Sequence, residues 1–241
     1  MNGGLADIPV AILAGGLATR LRPLTEKVPK VLLPIAGKPF LAHQLALLKS
    51  QGIRKVVLCV GYLGDVVRNE FGNGGAFGLH LDYCFDGPKL LGTGGAIRHA
   101  LPKLGDKFFV LYGDSYLTEP FAPIAEFFEK SGKRGLMTVY RNEGLYDSSN
   151  VVFRDGQILV YDKKARLAEM RHIDYGLSVF RASAFTEWPA DHAFDLAQVM
   201  MKLLAAGDLA GFEVPDRFYE IGSPSGLAEL EKLLTEKPIS R

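Results

Sequence analysis

The 241-residue chain has only two cysteines, one tryptophan and a formal net charge of +1. A charge so close to zero excludes a dedicated nucleic-acid binder, which would need a strongly basic face. Cys59 and Cys84 both lie in apolar runs, so buried reduced thiols are expected rather than a disulfide framework. No apolar run is long enough to cross a bilayer, and the start, MNGGLADIPV, has no basic stretch ahead of its apolar residues. These absences predict a cytoplasmic protein with neither a membrane nor a nucleic acid as partner. The five histidines are scattered without metal-ligand spacing, and no G-x-S-x-G or Cys/His arrangement offers a covalent nucleophile. Any catalysis must then work by positioning and charge neutralisation.

Hydrophobic residues make up 48% of the chain, enough for one large α/β domain. Pro9 to Ala14 is apolar and stops at glycine, as a buried parallel strand does. Phe40 to Ser50 has helical apolar spacing and stops at Gly52. Strands at Lys55–Val60, Leu79–Phe85, Lys107–Tyr112 and Gly135–Tyr140 alternate with helices at Leu63–Phe71, Leu91–Ala100 and Pro120–Lys130. That alternation predicts a Rossmann-like, doubly wound sheet with ligands at the carboxyl ends of its strands. From Asn142 the texture changes to short strands at Val151–Phe153, Ile158–Tyr161 and Ile173–Phe180, read as a small antiparallel lobe beside the main sheet. Phe185 to Ala206 reads as largely helical, Phe212–Val214 and Phe218–Ile221 as short strands, and a closing helix covers Leu227 to Leu234. The expected division is a core over 1–140, a lobe over 141–182, and C-terminal helices with a second acidic segment over 183–241. With no internal repeat or linker, one cooperative unit is expected.

The most informative stretch is ILAGGLATRLRPLTEKVPKVLLPIAGKP, from Ile12 to Pro39. Gly15 and Gly16 let backbone N–H groups approach an anion, and the loop behind them carries Arg20, Arg22, Lys27 and Lys30 against one acid, Glu26. A dinucleotide turn would need G-x-G-x-x-G and an acid after the second strand, yet that strand ends Cys59-Val60-Gly61-Tyr62. The G-x-x-x-x-G-K-[ST] phosphate loop is absent too. Without Arg20 and Lys30 the Gly-Gly pair would read as a structural turn; with them, polyphosphate binding is favoured.

Asp114 follows an apolar strand through Gly113, which places its carboxylate at the sheet edge. An isolated Gly-Asp pair is as often a turn cap, but beside a polyphosphate loop it becomes a Mg²⁺ ligand, and Mg²⁺ calls for one or two carboxylates plus phosphate oxygens. Glu220, in FYEIGSP, is the candidate second carboxylate.

The run LAGGLATRLRPLTEKVPKVLLPIAGKPF resembles the signature of the sugar-phosphate nucleotidylyltransferases. Weaker matches follow in order at LGTGGAI (Leu91–Ile97), YGDS (Tyr112–Ser115), DYGLSVF (Asp174–Phe180) and YEIGSP (Tyr219–Pro224). The resemblance implies that Leu13, Ala14, Gly15, Gly16, Thr19, Arg20, Lys30, Asp86, Gly92 and Thr93 bind the nucleotide, with Arg20, Lys30 and Asp114 catalytic. It further implies Gly113, Asn150, Asp162, Lys163, Asp174 and Gly176 at the sugar phosphate, and Asp114 with Glu220 on Mg²⁺. The family usually has Asp where Glu220 stands, Gly where Asn150 stands, Glu-Lys-Pro where Asp162-Lys163-Lys164 stands, and Asn-Ala-Gly where Asp174-Tyr175-Gly176 stands.

LGTGG is similar to the form in guanylyltransferases of mannose 1-phosphate and D-glycero-D-manno-heptose 1-phosphate. This implies GTP as donor and a place in cell-surface polysaccharide synthesis. Alternatives are a uridylyltransferase of N-acetylmuramate 1-phosphate or another hexose 1-phosphate, and a non-catalytic nucleotide-sugar sensor. The implied partners are a nucleoside triphosphate and a sugar 1-phosphate, with a homodimer left open. The C-terminal β-helix of larger relatives is not expected.

Overall fold

A computed structural model describes residues 4–16, 18–190 and 192–236. The first strand, β1 (Val10–Leu13), is an apolar run ending at the glycine pair. Beyond two 3-10 turns, Thr19–Leu21 and Lys30–Leu32, a two-stranded ribbon of β2 (Pro34–Ile35) and β3 (Lys38–Pro39) leads into α1 (Phe40–Ser50). The chain then alternates through β4 (Lys55–Val60), α2 (Gly64–Phe71), β5 (His80–Phe85), α3 (Gly92–Leu104) and β6 (Lys107–Tyr112). After β7 (Ser115–Tyr116), α4 (Phe121–Ser131) and β8 (Gly135–Arg141) come β9 (Val151–Arg154), β10 (Gln157–Tyr161) and the long β11 (His172–Arg181). The last elements are α5 (Leu196–Ala205), β12 (Leu209–Val214), β13 (Tyr219–Glu220) and α6 (Pro224–Glu236).

Nine strands form one mixed sheet in the order β10-β9-β11-β6-β1-β4-β5, with β8 bonded to β11 and β12 to β8. The strands β6, β1, β4 and β5 are mutually parallel, so their carboxyl ends share one edge. Alternation of side chains assigns the two faces. Val10, Ile12, Val56, Leu58, Phe109 and Leu111 pack in one apolar cluster with Leu41 and Leu45 of α1 and Phe121 and Phe128 of α4. Ala11, Val57, Cys59, Phe108 and Val110 face the other way, against Ile97 and Leu104 of α3 and Met200 and Leu203 of α5. Helices on both faces give the doubly wound, three-layered arrangement expected from the alternation. Cys59 and Cys84 are buried free thiols in register on β4 and β5.

Three details depart from expectation. The antiparallel strands after Asn142 do not stand beside the main sheet; they extend it. One edge of β11 pairs with β8 in both halves, at His172 to Asp174 and again at Ser178 to Phe180, while the other edge meets β9 at His172 and β6 from Leu177 to Arg181 in the middle of the sheet. The register breaks between Asp174 and Ser178, where Gly176 takes φ +95°. The second departure is the start of α5 at Leu196 rather than near Phe185. Pro189 disfavours helix at the residue before it, and the segment after it is held against α3. Third, β13 spans only Tyr219–Glu220 and forms with β7 a separate antiparallel ribbon, Glu220 opposite Ser115. Among the described residues no helix is long and apolar enough to cross a membrane.

Phe109 joins two layers: its ring is fully buried and lies 5.0 Å from that of Phe121 on α4. Phe109→Ala should destabilise the fold by about 3–5 kcal/mol, read as a lower midpoint in urea unfolding.

Candidate active site

The carboxyl ends of β1, β4 and β6 open on a cavity of about 400 Å³. Its lining holds Leu13, Ala14, Gly15, Gly16, Arg20, Lys30, Asp86, Gly92, Thr93, Gly113 and Asp114. Apart from Thr19, every residue expected at the nucleotide is in that lining; the expectation for the Thr19 side chain lies outside what the structure describes. Backbone bonds hold the strand ends together: Ala14 N–H donates to the Cys59 carbonyl at 2.8 Å and Gly113 N–H to the Leu13 carbonyl at 3.1 Å. A Cβ at Gly113 would sit 2.4 Å from the Leu13 oxygen, and one at Gly15 would sit 3.0 Å from the Gly61 nitrogen. At Gly113 glycine is demanded by the strand ends themselves, and at Gly15 a side chain would fit only tightly. Gly16 differs, since an added Cβ there meets nothing within 4 Å. It faces the space a ligand would take.

Of the four loop cations only Arg20 and Lys30 line the cavity; Arg22 and Lys27 are exposed outside it. Lys30 Nζ donates to Asp114 Oδ2 at 2.7 Å, across 84 residues of chain. Glu220 closes the group. A Cβ at Gly222 would lie 2.6 Å from Glu220 Oε2, 3.0 Å from Arg20 Nη2 and 3.2 Å from Lys30 Nζ. Two cations and the Glu220 carboxylate thus surround one glycine, and Asp114 is bonded to one of those cations. The β7–β13 ribbon brings the acids together, with Ile221 N–H donating to the Asp114 carbonyl at 2.9 Å. Glu220 also accepts from Gly222 N–H and, at 2.6 Å, from the Ser223 hydroxyl, which ties it to the start of α6.

No cluster of three or more His, Cys, Asp or Glu side chains suited to a metal occurs among the described residues. A closed protein cage is therefore missing, and the available donors are two hard carboxylates beside an open cavity. That set fits Mg²⁺, which takes its remaining ligands from phosphates and water.

Gln44, on the buried side of α1, was not singled out in the sequence. Its Nε2 donates to the Ser115 carbonyl at 2.8 Å and to the Tyr112 carbonyl at 3.3 Å, so it braces the turn that carries Asp114. A polar residue on an otherwise apolar helix face was the available signal.

The glycines of LGTGG have a use the motif did not disclose. Added Cβ atoms would lie 2.7 Å from the Phe194 oxygen at Gly92, 2.4 Å from the Phe194 ring at Gly94 and 2.4 Å from the His192 oxygen at Gly95. Gly94 N–H donates to the Phe194 carbonyl at 2.9 Å, and Phe194 N–H to that of Leu91 at 3.0 Å. The turn is bare because the chain entering α5 lies on it. Asp86 stands at the other wall, accepting from Leu91 N–H at 3.2 Å; burial pushes its carboxyl up, against that bond.

Apart from Gly113, the residues expected at the sugar phosphate lie on β11 (Asp174, Gly176), in the loop after β10 (Asp162, Lys163) and just before β9 (Asn150), and none of these five lines the cavity. The Asp174 carboxylate receives the Tyr112 and Tyr161 hydroxyls, each at 3.3 Å, and Gly176 N–H at 3.0 Å. Burial raises its carboxyl above the ordinary range despite these donors. Asn150 Oδ1 accepts from Asp174 N–H at 3.0 Å, so it positions β11. Gly176 lets Ser115 approach, since a Cβ there would lie 2.9 Å from its hydroxyl oxygen. Asp162 turns into its own loop, accepting from the N–H groups of Lys164 and Ala165 at 2.7 and 3.1 Å. Lys163 instead reaches back over the Tyr112 ring, 5.8 Å from its centre, and pairs with Asp195 at 3.0 Å.

The nucleotidyl transferase family model matches residues 10–151. The mannose-1-phosphate guanylyltransferase of Mycobacterium tuberculosis is 30% identical over 98% of this chain and 68% of its own length. The catalytic subunit beta of the Xenopus tropicalis mannose-1-phosphate guanylyltransferase is 30% identical over 88% of this chain and 61% of its own. The chain thus spans about two thirds of the length of these curated relatives. A Bacillus anthracis structure assigned as a glucose-1-phosphate thymidylyltransferase, in complex with sucrose, superposes with a TM-score of 0.84 over 97% of this chain and 98% of its own, at 20% identity. That likeness shows the fold. The chain belongs to the nucleotidyl transferase family, enzymes that transfer a nucleotidyl group. Within it, the chain is one of the sugar-phosphate nucleotidyltransferases.

Two variants test the local physics. Gly95→Ala should destabilise by about 1–3 kcal/mol through its clash with the His192 carbonyl, although alanine favours helix by about 1 kcal/mol; thermal unfolding measures the balance. Asp174→Asn reports the buried carboxyl. A carboxyl whose value is raised on folding stabilises the native state most below its unfolded value, and that stability is lost as pH rises through the folded one. Asn does not titrate, so Asp174→Asn should have the higher Tm near pH 7, and the gain should shrink as pH falls toward 4.

Proposed function

We propose that the chain joins the nucleotidyl group of a nucleoside triphosphate to a sugar 1-phosphate and releases pyrophosphate, with GTP and mannose or heptose 1-phosphate as substrates. The carrying observation is Lys30, paired with Asp114 in a cavity that Arg20 and the glycine loop also line, with Glu220 next to the lining residue Gly222. Two cations at one point suit a polyphosphate, whereas binding a finished nucleotide sugar would not require them together with two carboxylates. The guanine preference is supported by the relatives named as mannose-1-phosphate guanylyltransferases, and by Asp86 at the cavity wall, a carboxylate acceptor for N–H groups of a base. The site of action is proposed to be the cytoplasm.

An oxygen of the sugar phosphate forms the new bond to the α-phosphorus while the bond to the pyrophosphate oxygen breaks, that electron pair leaving with pyrophosphate. The attacking oxygen is already anionic, so no general base is needed. The task is to let two anions approach. Gly15 and Gly16 bring the triphosphate over the strand ends, and Arg20 neutralises its outer charge. Lys30 lies between the two halves and offsets the charge that develops on the leaving group. Lys163, from the loop after β10, orients the sugar phosphate. Asp114 and Glu220 would hold Mg²⁺, which when bound supplies further positive charge to the phosphates.

Purified protein mixed with each of five nucleoside triphosphates and a panel of sugar 1-phosphates, assayed for pyrophosphate, tests the proposal. Release should be largest with GTP and mannose or heptose 1-phosphate; no release with any pair overturns it. Lys30→Ala should lower kcat/KM by about 10²–10³-fold, the usual effect of removing a preorganised charge, with Tm held within a few degrees.

A further inference from the structure

Lys163 is not the only charged group from outside the nucleotide core that reaches the sugar end. Asp195, the residue before α5, places Oδ1 3.0 Å from Lys163 Nζ. The same oxygen accepts from Ala197 N–H at 2.8 Å, which caps the helix. Burial pushes the Asp195 carboxyl up, but the Ala197 N–H and the Lys163 ammonium outweigh it and hold it below the usual range. The adjoining Leu196 N–H donates to the Thr93 hydroxyl at 2.8 Å, and Phe194 is bonded by its backbone to Leu91 and Gly94. Asp195 is therefore fixed by main-chain bonds to the wall of the nucleotide cavity. Lys163 sits on a loop whose anchors are Asp162 and its own neighbours, with a long side chain half in water.

We propose that Asp195 is a positioning residue: it holds the Lys163 ammonium toward the reaction centre and ties that position to the nucleotide wall through the first turn of α5. The proposal rests on Lys163 serving a sugar phosphate, as set out above. A half-exposed ion pair is weak by itself. What Asp195 contributes is direction, because one partner is already immobile and only the lysine has freedom to lose. The expected effect is accordingly modest and falls on one substrate.

Asp195→Asn keeps a good helix cap and removes the charge. Its Tm and its Kd for GTP, measured by calorimetry, should match the parent. Its KM for the sugar 1-phosphate should rise about fivefold, the equivalent of about 1 kcal/mol, with kcat within twofold. Lys163→Ala should raise KM at least as much, and the double variant no further. An unchanged or lowered KM in Asp195→Asn, or multiplying effects in the double variant, overturns the proposal. Asp195→Ala serves as the control for a purely structural role, since loss of the cap lowers Tm.

A second measurement needs no turnover. The rate at which acetic anhydride acetylates Lys163, read by mass spectrometry against Lys164 as internal reference, should rise at least threefold in Asp195→Asn. An equal rate in both proteins overturns the proposal. Should the parent release no pyrophosphate with any pair, the proposed function falls on that result, while the acetylation rates still decide whether Asp195 holds Lys163.

Discussion

The site depends on the contact between Lys30 and Asp114. A cation from the loop after β1 and a carboxylate after β6 meet at 2.7 Å because those strands are parallel neighbours and end at one edge. Arg20 lies close by, and two cations so near each other in a partly shielded cavity would repel strongly if unbalanced. Asp114 and Glu220 supply the balance. The formal charges of the four side chains sum to zero, and on the proposed function the two cations would exchange carboxylate for phosphate oxygens. The fold around it is largely the apparatus that keeps these four side chains in place: Gln44 beneath the Asp114 turn, the β7–β13 ribbon beside it, and Ser223 behind Glu220.

A second structural theme is the use of bare backbone to make contact between distant parts of the chain. Gly15, Gly92, Gly94, Gly95 and Gly113 each stand where an ideal Cβ would press on another main chain or ring. Glycine here is a packing requirement. It lets the segment entering α5 lie on the cavity wall, and that segment carries Asp195 to Lys163. On the proposed function, this one segment would link the nucleotide and sugar-phosphate sides, which suits a reaction whose main demand is alignment of two anions.

Much of this was legible in the sequence. The parallel strands appeared as short apolar runs stopped by glycine, and the cavity lining from Leu13 to Lys30 was readable in one continuous stretch. Glu220 was placed beside Asp114 from its aromatic strand context and the SP turn after it. Less legible were contacts made by single polar residues in ordinary surroundings. Asp195 precedes a helix, as many caps do, and nothing within ten residues announces Lys163. Gln44 looks like a lapse in an apolar helix face until the Ser115 carbonyl is found beneath it. Asp162 and Lys163 were read as one unit, yet one side chain turns inward to its own loop and the other crosses to α5.

The sequence by itself determined the elements and their faces, because helix and strand periods, glycine stops and proline breaks act over a few residues. It also set out the chemistry on offer: four cations on one loop, two candidate carboxylates, and neither a nucleophile motif nor metal-ligand spacing. Only the tertiary structure decided that the strands after Asn142 would extend the main sheet, with one edge of β11 on β8 throughout and the other passing from β9 to β6. It alone decided that Arg22 and Lys27 stay outside while Arg20 and Lys30 face in, and that Lys163 would find Asp195. Strand pairing and side-chain meetings across 30 to 90 residues depend on how whole layers pack. No local rule carries that information.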